Sequence, residues 1–331
     1  MNTDFCIRTN ILKSSHIDYK ESNVKKIYIQ KKLGEGSYGL IFLIQNNHVM
    51  KIFKNSTVSN TILNESNYLI PLKNENRELL FYFKYMNDNK NDSNKNDSNK
   101  NDKNDKNDKN DKNDKNDKND KIENNYIIKL YAIGVIKDQM IDNSNLLDIN
   151  SYFVILPQCI PFYKKYNCID KPLIYKQDGP EFVLKVVKRM LEASAYLEKN
   201  YNIINLDITL NNLMITKKDG AINDIIMLDF SIIKNNNNKK YNFNNRYYIW
   251  PDGNFEINIL PPYSICINGL ELLFGKKEIL EALSINQNKE KNINKYLIII
   301  KNTNKIIHNI FYQGLVKKIN TNNLLNIIYS M

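Results

Sequence analysis

The chain has 331 residues, of which 42% are hydrophobic, and a formal net charge of +11 at pH 7. This composition fits one large globular domain or two small ones, while four widely spaced cysteines and three separated histidines give neither a zinc motif nor a disulfide framework. The polar N-terminus lacks a secretory leader and the longest apolar runs are too short to span a bilayer, so we expect a soluble, intracellular protein with no membrane partner.

The positive charge comes mainly from lysines, which are scattered along the chain rather than interleaved with aromatic residues. Such a distribution is more typical of a solvated surface than of a nucleic-acid interface, which favours a continuous basic patch or stripe. We therefore expect no specific nucleic-acid partner.

Three antiparallel strands are predicted within residues 24–53, and the first two flank a glycine loop. Gly34, Gly36 and Gly39 have G-x-G-x-x-G spacing in this loop. A dinucleotide-binding turn shows the same spacing but needs a helix directly after the glycines, whereas a strand pattern follows here. A turn and a third strand come next, and that strand carries Lys51.

Helical spacing of apolar residues predicts a helix over residues 75–86 and a shorter helical segment at residues 63–69. Residues 88–121 then repeat Asn, Asp and Lys, with ten Asp, ten Lys and no apolar residue. Because such a segment cannot bury apolar surface to offset the loss of chain entropy, we expect a disordered loop.

Apolar runs at residues 126–136 and 152–156 predict two further strands, after which Pro157-Gln158-Cys159 forms a connection. Apolar residues then recur at helical spacing from Phe182 to Lys199, after a helix start at Asp178-Gly179-Pro180. The sequence therefore predicts a β-rich region that is followed by a long central helix.

The most informative stretch runs from Asn205 to Asn212 and contains Asp207. Two short apolar strands follow, joined by a turn, and the second ends at Asp229 of an Asp-Phe-Ser sequence. A hairpin of this kind brings Asn212 and Asp229 together, and their amide and carboxylate oxygens are ligands that magnesium prefers.

These motifs, taken in order, resemble the eukaryotic-type protein kinase superfamily over about residues 24–275. The Asp-Ile-Thr-x-x-Asn and Asp-Phe-Ser sequences look most like viral kinases, notably the herpesvirus-type protein kinases. The resemblance implies an α+β, two-lobed protein kinase-like fold: an N-terminal extension (1–23), a small antiparallel β lobe with one helix (24–156) and a mostly helical large lobe (157–331).

The resemblance also implies the activity, which is transfer of the γ-phosphate of ATP, with Mg²⁺, to Ser or Thr hydroxyls of protein substrates. Gly34, Gly36 and Gly39 would cover the phosphates, and with Ile41 and Val49 they are assigned to the nucleotide site.

Lys51 would contact the α- and β-phosphates and pair with a helix glutamate. Glu78 is preferred for this role over Glu65, because with the repeat removed it leads into the next strand at natural spacing. Asp207 would be the catalytic base.

Asn212 and Asp229 would bind the magnesium. The Pro157–Cys159 connection would be the hinge at the adenine edge, and the Asn-rich residues 234–245 would form a mobile activation loop. Trp250-Pro251-Asp252 lies where such kinases carry Ala-Pro-Glu.

Five residues depart from the family pattern. Asn205-Leu206 replaces the usual His-Arg, Thr209 stands where a Lys is usual, and Ser231 replaces the Gly after Asp-Phe. Ser264 occupies the position of an Asp that braces the catalytic loop. These departures keep open a catalytically silent kinase-like scaffold, and a small-molecule phosphotransferase of the same fold is a further alternative.

Overall fold

A computed structural model gives the arrangement of the residues described below. The structure describes residues 5–14, 24–35, 39–53, 81–82, 126–140, 151–166, 172–216, 225–228, 233–235, 257–284, 289–317 and 319–331. The chain divides into two compact units, one of residues 1–125 and 129–157 and one of residues 126–128 and 158–331. The repeat at residues 88–121, predicted to be disordered, lies outside the described residues.

The first unit is a closed, six-stranded antiparallel barrel in the order β1-β2-β3-β4-β6-β5, in which β1 also pairs with β5. Its strands are β1 (Phe5–Ser14), β2 (Val24–Glu35), β3 (Gly39–Ile44), β4 (His48–Phe53), β5 (Ala132–Met140) and β6 (Tyr152–Pro157). The predicted antiparallel strands within residues 24–53 are confirmed. In the turn between β3 and β4, Asn46 and Asn47 have left-handed backbone with φ of 62° and 55°.

The strand β1 corrects the prediction that residues 1–23 are an extension of a five-stranded lobe. Ile7, Thr9 and Ile11 are buried while Arg8 is exposed, which is the alternation of a strand with one face in a core. The pairing of β1 with β2 and β5 removes the sheet edges that a five-stranded sheet would leave.

The strand predicted at residues 126–136 is confirmed only in its second half. β5 begins at Ala132, and Tyr126–Ile128 belongs to the second unit, where Ile127 forms an isolated parallel bridge with Met227.

The barrel interior is filled by alternate side chains of its strands. Leu40, Phe42 and Ile44 of β3 point inward, as do Met50 and Ile52 of β4. Each such side chain contributes about 1.5–3 kcal/mol when it is fully buried. The intervening residues of β3 and β4 therefore lie on the outer face of the barrel.

The second unit is mostly helical. Its helices are α1 (Phe162–Tyr166), α2 (Gly179–Tyr201), α3 (Leu260–Phe274), α4 (Lys276–Ser284), α5 (Lys289–Thr303), α6 (Lys305–Leu315) and α7 (Thr321–Tyr329). The predicted central helix is confirmed as α2, which packs on α3 and α7 and carries Pro180 in its first turn.

Short strands complete the second unit. They are β7 (Ile160–Pro161), β8 (Ile203–Asn205), β9 (Leu213–Ile215), β10 (Ile225–Met227) and β11 (Ile233–Asn235). β9 lies between β10 and β7, and β8 pairs with β11. The antiparallel β9–β10 hairpin confirms the one predicted after Asn212.

The strand β11 corrects part of the predicted activation loop. Lys234 and Asn235 pair with Ile204 and Ile203 of β8, so these two residues are held in a β ladder. Residues 236–245 and the Trp250-Pro251-Asp252 sequence lie outside the described residues.

The stretch Ile257–Phe274, which contains α3, is long and apolar enough to cross a membrane by length and composition alone. It has a mean hydropathy of 1.2, and 94% of it is buried inside the protein. A core helix passes the same test, and α3 contacts four other helices, which are α2, α4, α6 and α7.

Candidate active site

The loop that contains Asp207 follows directly from the end of α2. Asn202 ends this helix in a left-handed conformation (φ 52°), with its N–H bonded to the Glu198 carbonyl oxygen. The chain then forms β8, an irregular segment of residues 206–209 and a 3-10 turn over Leu210–Asn212.

Apolar and polar residues alternate through this loop. Leu206, Ile208 and Leu210 are buried, whereas Asp207 is half-buried and Asn211 is exposed. The apolar side chains anchor the loop in the helical unit, so its polar side chains remain accessible to a reactant.

Asp207 and Asn212 are in direct contact. The Asn212 Nδ2 donates to the Asp207 Oδ2 over 3.1 Å and to the Asp207 carbonyl oxygen over 3.0 Å. The amide nitrogen is thereby used within the loop, and the Oδ1 oxygen is the Asn212 atom that suits a hard cation.

The β9–β10 hairpin brings the chain back to this loop. The Leu228 N–H donates to the Asn212 carbonyl oxygen over 2.8 Å. Asp229 is the next residue in the sequence and lies outside the described residues. The structure therefore places Leu228, the residue before it, beside Asn212.

The loop is braced by Asn268 of α3, which sequence reasoning missed. The buried Asn268 Nδ2 donates to the Ile208 carbonyl oxygen over 2.9 Å and to the Ser264 carbonyl oxygen over 2.7 Å. The side chain that braces the loop is therefore Asn268, one helical turn after Ser264. The resemblance indicated position 264 for this role. The available signal was a polar residue in a mostly apolar helix, which Asn268 shares with Ser264 and Glu271.

Asn205, one of the departures from the kinase pattern that the sequence resembles, also has a local role. It is buried, and its Oδ1 accepts a hydrogen bond from the Asp207 N–H over 3.0 Å. This is an Asx-type bond that turns the backbone at the residue carrying the carboxylate. The departure from the family pattern therefore leaves Asp207 with a defined backbone position.

In the barrel unit, the predicted nucleotide residues lie side by side on adjacent strands. Gly34 pairs with Ile41, and Ile41 pairs with Lys51. Ile41, Val49 and Lys51 are all half-buried, on the outer faces of β3 and β4. The register thus brings together the residues that the glycine motif and the lysine motif identified separately.

The glycines at the two ends of the loop differ in their surroundings. A Cβ at Gly39 would lie 2.7 Å from the Ile52 carbonyl oxygen and 3.5 Å from two carbons of the Lys51 side chain, whereas a Cβ at Gly34 would meet nothing within 4 Å. Gly39 is therefore required by packing, while Gly34 borders open space. The Lys51 Nζ lies 5.5 Å from the centre of the Phe53 ring.

Several predicted site residues lie outside the described residues. They are Gly36, Ser231, Asp229 and the two candidate partners of Lys51, Glu65 and Glu78. Within the described residues, no group of three or more His, Cys, Asp or Glu side chains could hold a metal ion.

The predicted hinge connects the two units of the chain, because the first unit ends at Pro157 and the second resumes at Gln158. Burial raises the pKa of the Cys159 thiol to about 12. The thiolate is the reactive form of cysteine, so Cys159 is not suited to nucleophilic chemistry near neutral pH.

No protein-family model and no curated protein matches the sequence. Among solved structures, the chain is similar to that of the Cydia pomonella granulovirus kinase PK-1, with a TM-score of 0.40 and 16% sequence identity. The similarity covers 75% of this chain and 70% of that chain. Similarity at this level carries no argument about activity, which depends on the residues of the site.

Proposed function

We propose that the protein is a kinase that transfers the γ-phosphate of ATP to Ser or Thr hydroxyls of protein substrates. The observation that carries this proposal is the 3.1 Å contact between the Asp207 carboxylate and the Asn212 amide. It joins a candidate base to a candidate cation ligand on a loop that Asn268 braces from within the core.

Asp207 would orient the acceptor hydroxyl and take its proton. Phosphoryl transfer needs little covalent chemistry from the protein, because positioning and electrostatic stabilisation supply most of the rate. A half-buried carboxylate with its backbone N–H held by Asn205 and one oxygen held by Asn212 is suited to that positioning.

The barrel unit would hold the nucleotide. Glycine allows a backbone to approach phosphate groups closely, and the open space at Gly34 supports this role. Lys51, which lies across from Ile41 in the sheet, would supply a cation for the phosphates.

Magnesium would be held by Asn212 and Asp229. The donor set fits this ion, because magnesium takes oxygen ligands, binds few protein groups and shares its coordination with substrate phosphates. When bound, it would neutralise charge on the transferring phosphate.

The direct test is incubation of the purified protein with labelled ATP, Mg²⁺ and generic acceptor proteins. Wild-type protein should label Ser or Thr, and Asp207→Asn should lower the rate by roughly 10²–10⁴-fold, the usual contribution of a general base. Asp178→Asn is the matched control, because Asp178 is an exposed aspartate of the same unit.

Asp207→Asn should retain ATP binding, since the carboxylate is assigned to the acceptor hydroxyl and not to the nucleotide. Full transfer by Asp207→Asn would remove Asp207 from the reaction. ATP binding by the wild type without any transfer would favour the catalytically silent scaffold instead.

A further inference from the structure

We infer that the acceptor side of this site selects hydroxyl groups within acidic peptide segments, an inference that rests on the proposed kinase function. Lysines lie on two elements that contact the 3-10 turn of residues 210–212. An acidic segment would place its negative charges against them.

The first basic element is the start of α4. The Lys276 Nζ donates to the Asn211 Oδ1 over 3.2 Å, and Asn211 is an exposed neighbour of Asn212. The Lys276 ammonium group is therefore held beside the turn that follows Asp207.

The second basic element is α1, which packs against the same turn and against β9. Its Lys164 and Lys165 are exposed. No acidic residue occurs within α1, whose sequence is Phe-Tyr-Lys-Lys-Tyr. Both elements thus add positive charge close to the loop.

The acidic side chains on these elements are already engaged or belong to the reaction. Asp207 is the only acidic residue between Ile203 and Thr216. On α4, Glu278 accepts a hydrogen bond from the Tyr296 hydroxyl over 3.1 Å, and Glu281 lies 4.0 Å from Lys277. Among the described residues, the hydrogen-bond partner of the Lys276 ammonium group is the neutral Asn211 amide. The positive charge of Lys276 therefore remains available to a substrate.

The test compares two peptides that share a central Ser and differ only in their flanks, one with Glu and one with Lys. Wild-type protein should have a higher kcat/KM for the Glu peptide. Lys276 is half-buried, and reversing its charge changes a weak attraction into a weak repulsion, so Lys276→Glu should reduce this preference roughly tenfold. Raising the ionic strength should reduce it as well.

Lys277→Glu is the matched control. It makes the same charge change one residue away, on a side chain that is 90% exposed and lies near Glu281, and it should leave the preference nearly unchanged. Lys276→Met should give an intermediate effect, and an unchanged melting temperature for each variant confirms its fold.

The outcomes separate this inference from the proposed function. Transfer by the wild type to neither peptide and to no generic acceptor protein would remove the kinase function and the inference together, whereas transfer to the generic proteins alone would overturn only the inference. Equal transfer to both peptides, a preference for the Lys peptide, or equal effects of Lys276→Glu and Lys277→Glu would overturn only the acidic preference.

Discussion

The barrel unit and the helical unit position their candidate residues by different physical means. In the barrel, Gly34, Ile41 and Lys51 are neighbours because the β ladder fixes their register. In the helical unit, Asp207 and Asn212 lie on irregular backbone, and side-chain amides fix their positions.

This difference determines how each region should respond to substitution. A β ladder distributes its constraint over many backbone hydrogen bonds. The arrangement of Gly34, Ile41 and Lys51 should therefore depend on core packing and on closure of the barrel. A loop braced by single hydrogen bonds should lose its geometry when one donor is removed, because a buried carbonyl without its partner is costly.

The largest effect is expected for barrel closure. Ile7→Ala should lower the free energy of unfolding by about 2–5 kcal/mol, the usual cost of truncating a buried Ile, because Ile7 is fully buried on the strand that closes the barrel. Denaturant unfolding would measure it, with Leu33→Ala on the exposed side of β2 as the control. Equal small losses for both variants would show that β1 does not close the barrel.

The next effect concerns Asn268, which braces the loop that contains Asp207. Asn268→Leu should cost about 1–3 kcal/mol of stability, because the buried Ile208 carbonyl loses its donor. It should also lower kcat while leaving ATP affinity unchanged, since the proposed phosphate contacts belong to the barrel unit.

The control for Asn268 is Ser264→Ala, at the position where the family pattern indicates the brace. Its side chain is not the donor to Ile208, so kcat should be nearly unchanged. A larger loss of kcat for Ser264→Ala than for Asn268→Leu would contradict the bracing role of Asn268.

The last effects distinguish Gly34 from Gly39, at the two ends of the glycine loop. Gly39→Ala should destabilise the barrel by about 1–3 kcal/mol, since the new Cβ would be forced against the Ile52 carbonyl oxygen. Gly34→Ala should leave the melting temperature nearly unchanged and weaken ATP binding. Calorimetric titration with ATP and thermal melts would measure both quantities. A lower melting temperature with unchanged ATP affinity for Gly34→Ala would show that Gly34 is structural and does not face the nucleotide.

Much of this organisation could be predicted from local patterns. The continuous apolar run of residues 40–44 indicates β3, and the spacing of Val186, Val187 and Met190 indicates the helix α2. In both cases the signal lies within one element.

The unpredicted features depend on distant partners. The alternation of Ile7, Thr9 and Ile11 was present in the sequence, but the closure of the barrel requires β5, more than a hundred residues later. The Asn268–Ile208 hydrogen bond joins residues 60 positions apart, so local periodicity could reveal a buried polar residue but not its partner.

The proposed reaction needs residues of both units, and Lys51→Met tests this claim most directly. Methionine retains a long side chain beside Gly39 but removes the cation, so the fold should persist while the rate of phosphate transfer falls by roughly 10²-fold or more. Lys31→Met, on an exposed position of β2, should transfer phosphate like the wild type. Full transfer by Lys51→Met, with Asp207→Asn inactive in the same assay, would contradict the account by showing that the barrel lysine takes no part in the reaction.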